Sequence, residues 1–144
     1  MTRLSTDLFH ATCVVRGGRA VLLAGPSGSG KSDLALRLID RDYALVSDDQ
    51  VLLSCKDGQL IAAPPPSIAG KMEVRGLGIV DIAHHPDQPV ALFVDLAATP
   101  LRMPEEDDGE TILGIRLPRI SLVAREASAA AKVTLALDKI GLRL

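Results

Sequence analysis

One octapeptide limits what this chain can fold into. Gly25-Pro26-Ser27-Gly28-Ser29-Gly30-Lys31-Ser32 satisfies G-x-x-x-x-G-K-[ST] and stands between an apolar run, Ala20 to Ala24, and an amphipathic one, Lys31 to Asp40. Glycines at that spacing let successive backbone N–H groups converge on phosphate oxygens, and a helix opening near Lys31 turns its positive dipole end toward them. Lys31 would then neutralise charge on β and γ phosphates, and the Ser32 hydroxyl would hold Mg²⁺. All eight residues are therefore candidate nucleotide-binding positions. The order strand, glycine loop, helix, strand is an α/β crossover.

Composition fits that reading and removes others. The 144 residues suit one domain, expected to span 1–144, and 47% hydrophobic residues are too many for a disordered chain. Sixteen Lys and Arg against eighteen Asp and Glu leave a net charge of −2, which gives no global attraction for a nucleic acid. Phe9, Tyr43 and Phe93 are the aromatic residues, so base-stacking platforms are absent and the core must be aliphatic. Cys13 and Cys55 sit in apolar or β-branched surroundings and read as reduced thiols. No apolar run approaches the ~20 residues of a membrane span, and Met1 to Asp7 lacks the build of a signal peptide, so a cytoplasmic location is expected.

Along the chain, Leu8 to Val15 reads as a strand, Arg16-Gly17-Gly18-Arg19 as a tight turn and Ala20 to Ala24 as a second strand. A two-residue Gly17-Gly18 loop sets Arg16 opposite Arg19, which carries His10 to a position opposite Gly25. A helix over Lys31 to Asp40 and a buried strand over Tyr43 to Ser47 follow. Gln50 to Ser54 and Gln59 to Ala62 flank Lys56-Asp57-Gly58 as a hairpin, and Pro64-Pro65-Pro66 forces an extended loop. Val90 to Leu96 reads as a core strand, Glu105 to Glu110 as a solvated acidic loop, Arg119 to Ala124 as a last strand and Glu126 to Leu137 as a helix. The predicted class is α/β, a P-loop containing mixed sheet with few flanking helices.

A phosphate loop alone does not make a transferase, since something must take the acceptor's proton and complete the metal site. The helix covers about 15 Å and the return strand ~16 Å, so the chain comes back level with the loop where Asp48 and Asp49 appear. Two adjacent carboxylates at a strand end can divide proton acceptance from metal binding, or they can form a plain turn. His10 reaches the same edge through the hairpin register. Glu73 and Arg75 alternate onto one face of a strand bounded by glycines and read equally well as a surface ion pair. His84-His85 points its imidazoles apart and reads as a solvated turn. Arg102 is either a mobile phosphate clamp or a surface charge.

Several separated segments resemble one family. Leu22-Leu23-Ala24-Gly25-Pro26-Ser27-Gly28-Ser29-Gly30-Lys31-Ser32-Asp33, Leu45-Val46-Ser47-Asp48-Asp49 and Thr111-Ile112-Leu113-Gly114 with Leu117-Pro118-Arg119-Ile120 are similar to segments of the HPr kinase/phosphorylase catalytic domain. So is Met72-Glu73-Val74-Arg75-Gly76-Leu77-Gly78-Ile79-Val80, which resembles the family signature EIRGLGIINV. The resemblance implies an HPr kinase/PEP carboxykinase-like fold and phosphorylation of a serine on HPr or an HPr-like phosphocarrier, with ATP and Mg²⁺. It implies catalytic roles for His10, Lys31, Asp48, Asp49 and Arg102, metal contacts from Ser32 and Glu73, support from Arg75 and Arg125, and a homo-oligomer, a hexamer in the family.

The chain also departs from the pattern. Only nine residues precede His10, where the family carries an N-terminal domain, and the chain stops at Leu144, where further helical sequence usually follows. The family's phosphorolysis loop PVRPGRN corresponds to Val123-Ala124-Arg125-Glu126-Ala127-Ser128-Ala129, which keeps one arginine and puts phosphorolysis in question. Two other readings stay open: an ATP-binding sensor that has lost catalysis, and a small-molecule P-loop kinase drawing on Arg116, Arg119 and Arg125.

Overall fold

The computed structural model describes residues 6–96 and 109–144. In chain order the strands are β1 (Thr6–Phe9), β2 (Ala11–Arg16), β3 (Arg19–Ala24), β4 (Ala44–Ser47), β5 (Val51–Lys56), β6 (Gln59–Ala63), β7 (Lys71–Val74), β8 (Gly78–Asp81), β9 (Gln88–Leu96), β10 (Gly109–Ile112) and β11 (Ile115–Leu122). The α-helices are α1 (Lys31–Ile39) and α2 (Ala129–Ile140). Among the described residues nine strands join in one sheet, with the order β1-β5-β6-β9-β3-β2-β4 and β11 and β10 branching from β9, while β7 and β8 form a separate pair. β9 is the strand on which the sheet turns, since Gln88 and Pro89 pair with β6 and residues 93–96 pair with β11.

Alternation along the central strands explains why they are apolar throughout. Val14, Val21, Leu23, Leu45, Leu92 and Val94 face α1 and α2 in one core, whereas Cys13, Val15, Ala20, Leu22, Val46 and Val90 face the β5–β6 hairpin and β11 in another. Each fully buried aliphatic side chain of this kind stabilises the fold by about 1.5–3 kcal/mol. α1 follows the same logic with Leu34, Ala35 and Leu38 buried, and α2 with Ala129, Ala130, Val133 and Leu137.

The strand directions position the site. β3, β9 and β11 run parallel, and β4 runs with them because both β3 and β4 are antiparallel to β2. The C-terminal ends of β3, β4, β9 and β11 and the N-terminal end of β2 therefore lie on one sheet edge, where an α/β sheet binds its ligands.

Four sequence expectations are corrected. The strand expected over Leu8 to Val15 breaks at a bend at His10, because β1 leaves to pair with β5 while β2 pairs with β3. Lys71 to Val80 is a hairpin and not one strand: Gly76 and Gly78 take φ of 89° and 91°, and Val74 pairs with Gly78 around residues 75–77. The last strand starts earlier, at Ile115, and its antiparallel partner β10 takes in Gly109 and Glu110, which charge repulsion had assigned to the acidic loop. The final helix starts at Ala129, after turns over residues 124–128.

Both cysteines are free, Cys13 fully buried and Cys55 half-buried. Burial pushes the Cys13 thiol far above its ordinary range, which suppresses the reactive thiolate. Iodoacetamide should therefore modify Cys55 in the native protein and reach Cys13 only after unfolding. Equal labelling of the two, read by mass spectrometry, would contradict this packing.

Candidate active site

The octapeptide leaves β3 and enters α1 as a loop whose backbone needs its glycines. Gly28 and Gly30 take φ of 83° and 95°, and a side chain on Gly30 would also press on Ala124 at 3.0 Å. A Cβ on Gly25 would lie 2.7 Å from Ser29 Oγ and 3.2 Å from the Leu96 carbonyl oxygen, so any side chain there would displace Ser29 and crowd the loop base. Ser29 donates its N–H to the Pro26 carbonyl at 3.0 Å, which closes the turn. At the α1 start Gly30 offers no side-chain cap, so the first helical N–H groups remain available to an anion.

Two side chains from α1 reach back over this loop. Lys31 is buried, and its ammonium donates to the carbonyls of Gly25 at 2.8 Å and Pro26 at 3.3 Å. Ser32 donates its hydroxyl to Asp48 Oδ1 at 2.6 Å. Asp48 is buried, and the same oxygen accepts the Thr12 hydroxyl at 3.1 Å. Thr12 Oγ1 in turn accepts the N–H of Asp49 at 3.0 Å. The chain reverses here: Asp49 has φ of 64°, and Gln50 donates its N–H back to the Asp48 carbonyl at 2.7 Å. The two carboxylates thus part company, Asp48 turned in toward Ser32 and Asp49 exposed to solvent.

Thr12 is the site residue that the sequence did not disclose. It lies in an apolar β-branched run and is fully buried, and only the pairing of β2 with β4 brings it to the Asp pair. The one available signal was a hydroxyl at an otherwise hydrocarbon position. Thr12→Val removes the shared oxygen without changing shape, leaving Asp48 one bond short and the Asp49 N–H unpaired. A stability loss of about 1–3 kcal/mol in urea unfolding is expected. No loss would show that solvent already satisfies those groups.

The remaining expected residues divide. The hairpin register holds from Arg16 opposite Arg19 to Ala11 opposite Ala24, and His10 is exposed one position beyond it, at the same edge as Gly25. Arg125 is exposed in the segment after β11, which Arg37 of α1 ties down through the carbonyls of Ala124 and of Glu126. Among the described residues no hydrogen bond or ion pair brings Glu73 and Arg75 to this cluster: Glu73 lies on the exposed face of β7, opposite buried Met72, and Arg75 in the hairpin turn. Arg102 lies outside the described residues. Of the rival lid arginines, Arg119 pairs with Asp95 at 2.7 Å, on the opposite sheet face from Asp48. His84 and His85 are exposed, held to β4 through the backbone of Leu45.

The residues present fit a magnesium nucleotide. Ser29 Oγ is buried within the loop without a hydrogen-bond partner, an orphan that a phosphate oxygen would satisfy. Ser32 and Asp48 are hard oxygen donors set side by side. Two such donors suit Mg²⁺, an ion that takes few protein ligands and completes its shell with phosphate and water.

Comparison with known proteins decides the family. Residues 3–137 match the model of the HPr Serine kinase C-terminal domain. The chain belongs to that family. An HPr kinase/phosphorylase of Limosilactobacillus reuteri is 35% identical over 126 residues, 78% of this chain and 39% of that protein. One of Clostridium beijerinckii is 48% identical over 73 residues, 51% of this chain and 24% of that protein. The chain thus spans about two fifths of the length of the reuteri protein. The solved Hpr(Ser) kinase/phosphatase from Coxiella burnetii superposes with a TM-score of 0.78 at 29% identity, covering 92% of this chain and 94% of that one. The mixed sheet with two helices is that fold.

Proposed function

We propose that this HPr kinase-family chain transfers the γ-phosphoryl group of ATP to a serine of HPr or an HPr-like phosphocarrier. The observation that carries the reading is the hydrogen-bonded series Ser32, Asp48, Thr12, Asp49 at the mouth of a glycine cradle closed by Lys31. It sets a metal-binding hydroxyl from α1 beside a buried carboxylate, with an exposed carboxylate on the next residue.

The roles follow from placement. Helical and loop N–H groups bind the phosphates, and Lys31 moves from its carbonyl partners onto the β and γ oxygens. Ser32 and Asp48 would hold Mg²⁺, which would supply positive charge against the charge of the moving group. Asp49, whose carboxylate has no partner among the described residues and is open to solvent, takes the proton of the acceptor serine while the serine oxygen forms its bond to phosphorus and the bond to the ADP oxygen breaks. His10 supplies a further polar group at the same edge. The roles of Glu73 and Arg102 rest on the family resemblance alone.

Radiolabel transfer from γ-labelled ATP to a purified phosphocarrier tests this directly. Serine-linked, Mg²⁺-dependent label is the expected result. Tight ATP binding with no labelled serine would favour the nucleotide sensor, and label on a small metabolite the small-molecule kinase.

A further inference from the structure

The segment that follows β11 is held down from α1. Glu126 donates its N–H to the Val123 carbonyl at 3.2 Å, which closes a turn with Ala124 and Arg125 at its corner. Arg37, in the last turn of α1, donates from one terminal nitrogen to the Ala124 carbonyl and from the other to the Glu126 carbonyl at 3.3 Å. Ala124 is itself buried against the phosphate loop, since a Cβ on Gly30 would lie 3.0 Å from its methyl group. We propose that Arg37 is a positioning residue for ATP, clamping the turn from Val123 to Glu126 onto the α1 end of the phosphate loop so that Arg125 meets the α-phosphate side of the nucleotide. The assignment rests on the nucleotide-binding part of the kinase reading above and deepens it.

Three observations support that role. The first is what the clamp costs. A basic residue in the last turn of a helix ordinarily stays with the carbonyls of its own helix or turns to water. Arg37 crosses to another segment instead, and its Nε is buried without a hydrogen-bond partner among the described residues, a penalty that a solvated arginine avoids. Its ion pair with exposed Asp33 at 3.2 Å lies within α1, needs no turn and contributes little. The second is what the clamp fixes. The two carbonyls it takes belong to the residues on either side of Arg125, so the Arg125 backbone is held from both sides while its side chain stays exposed. The neighbouring Glu126 carboxylate is occupied by Lys132 of α2 at 2.9 Å, and among the described residues no carboxylate pairs with Arg125. The third is position. Lys31 Nζ rests on Gly25 and Pro26, which places the β and γ phosphates at that end, while the loop and first helical N–H groups take the α and β phosphates. The nucleotide therefore runs past Gly30 toward α1, where Ala124 is seated and Arg125 is the next residue.

Arg37→Met keeps the side-chain stem and removes both donors. The calorimetric Kd for ATP with Mg²⁺ should rise about tenfold, the scale of one charge-assisted hydrogen bond. In label transfer, KM for ATP should rise by the same factor while kcat at saturating ATP and KM for the phosphocarrier stay near the parent values, because the contact is remote from the moving phosphoryl group. Arg37→Lys retains a charge without the planar fork that spans two carbonyls, so its affinity should fall between those of the parent and Arg37→Met. Arg125→Ala should weaken ATP by a similar factor, and Arg37→Met should add little to it, since the two act through one contact. Parent-like ATP affinity in Arg37→Met overturns the assignment, including the case in which only its unfolding temperature falls, which would make the clamp purely structural. Fully additive losses in the double variant overturn it too. If Arg37→Met fails to fold, parent affinity in both Arg37→Lys and Arg125→Ala has the same force. Tight ATP binding by the parent chain with no labelled serine sinks the kinase reading and leaves the calorimetric test of Arg37 standing, whereas a parent chain that binds no ATP sinks both.

Discussion

Asparagine in place of Asp49 should leave ATP binding intact and lower serine phosphorylation by roughly 10²–10⁴-fold, the usual contribution of a positioned general base. The substitution is clean for a physical reason. Asp49 sits at φ of 64°, a left-handed conformation that asparagine tolerates better than other L residues, and it bonds the Thr12 hydroxyl through its backbone N–H and not its side chain. Folding and loop geometry are thereby preserved and only the proton acceptor is lost. The neighbouring Asp48→Asn behaves differently: its carboxylate accepts from both Ser32 and Thr12, so the loss falls on Mg²⁺ affinity and on the setting of Ser32. Turnover at saturating ATP and Mg²⁺, paired with calorimetric ATP binding, separates the two. Normal turnover by Asp49→Asn would remove it from the chemistry.

Lys31→Met should lower transfer by about 10²–10³-fold, the loss typical when one preorganised group facing developing charge is removed. The stem of Lys31 is buried, and methionine retains that packing while deleting the ammonium that now spans the carbonyls of Gly25 and Pro26. Arginine should not restore activity, because a planar guanidinium cannot stand in the confined place of a compact ammonium. Initial-rate measurement of label transfer across the three proteins checks this, and near-parent activity in Lys31→Met would contradict the role.

How far the site could be read in advance depended on the range of the signal. The phosphate loop and the β2–β3 hairpin are local, and their geometry follows from glycine placement and the two-residue Gly17-Gly18 turn, so residues 11–24 pair as expected. Asp48 and Asp49 reached the right edge by simple length arithmetic over α1 and β4. Their division of labour did not, because it depends on Thr12, 36 residues from Asp48, and on a left-handed turn that no residue spacing announces. Glu73 and Arg75 illustrate the opposite failure. Period-two alternation is common to one strand and to a hairpin, and only the positive φ at Gly76 and Gly78 distinguishes them. Branching of β9 between β6 and β11 is a long-range outcome of burying Leu22 and Phe93 on the second sheet face, which a linear pattern cannot encode.

The most direct measurement is an ATP–Mg²⁺ titration followed by amide resonances of the isotopically labelled chain. Shifts concentrated at Gly25 to Ser32, with smaller ones at His10, Thr12, Asp48, Asp49 and the segment after β11, are the expected result, because those groups share one sheet edge. Shifts centred on the β5–β6 hairpin or on the exposed side of α2, with the loop amides unmoved, would contradict a nucleotide site at that edge.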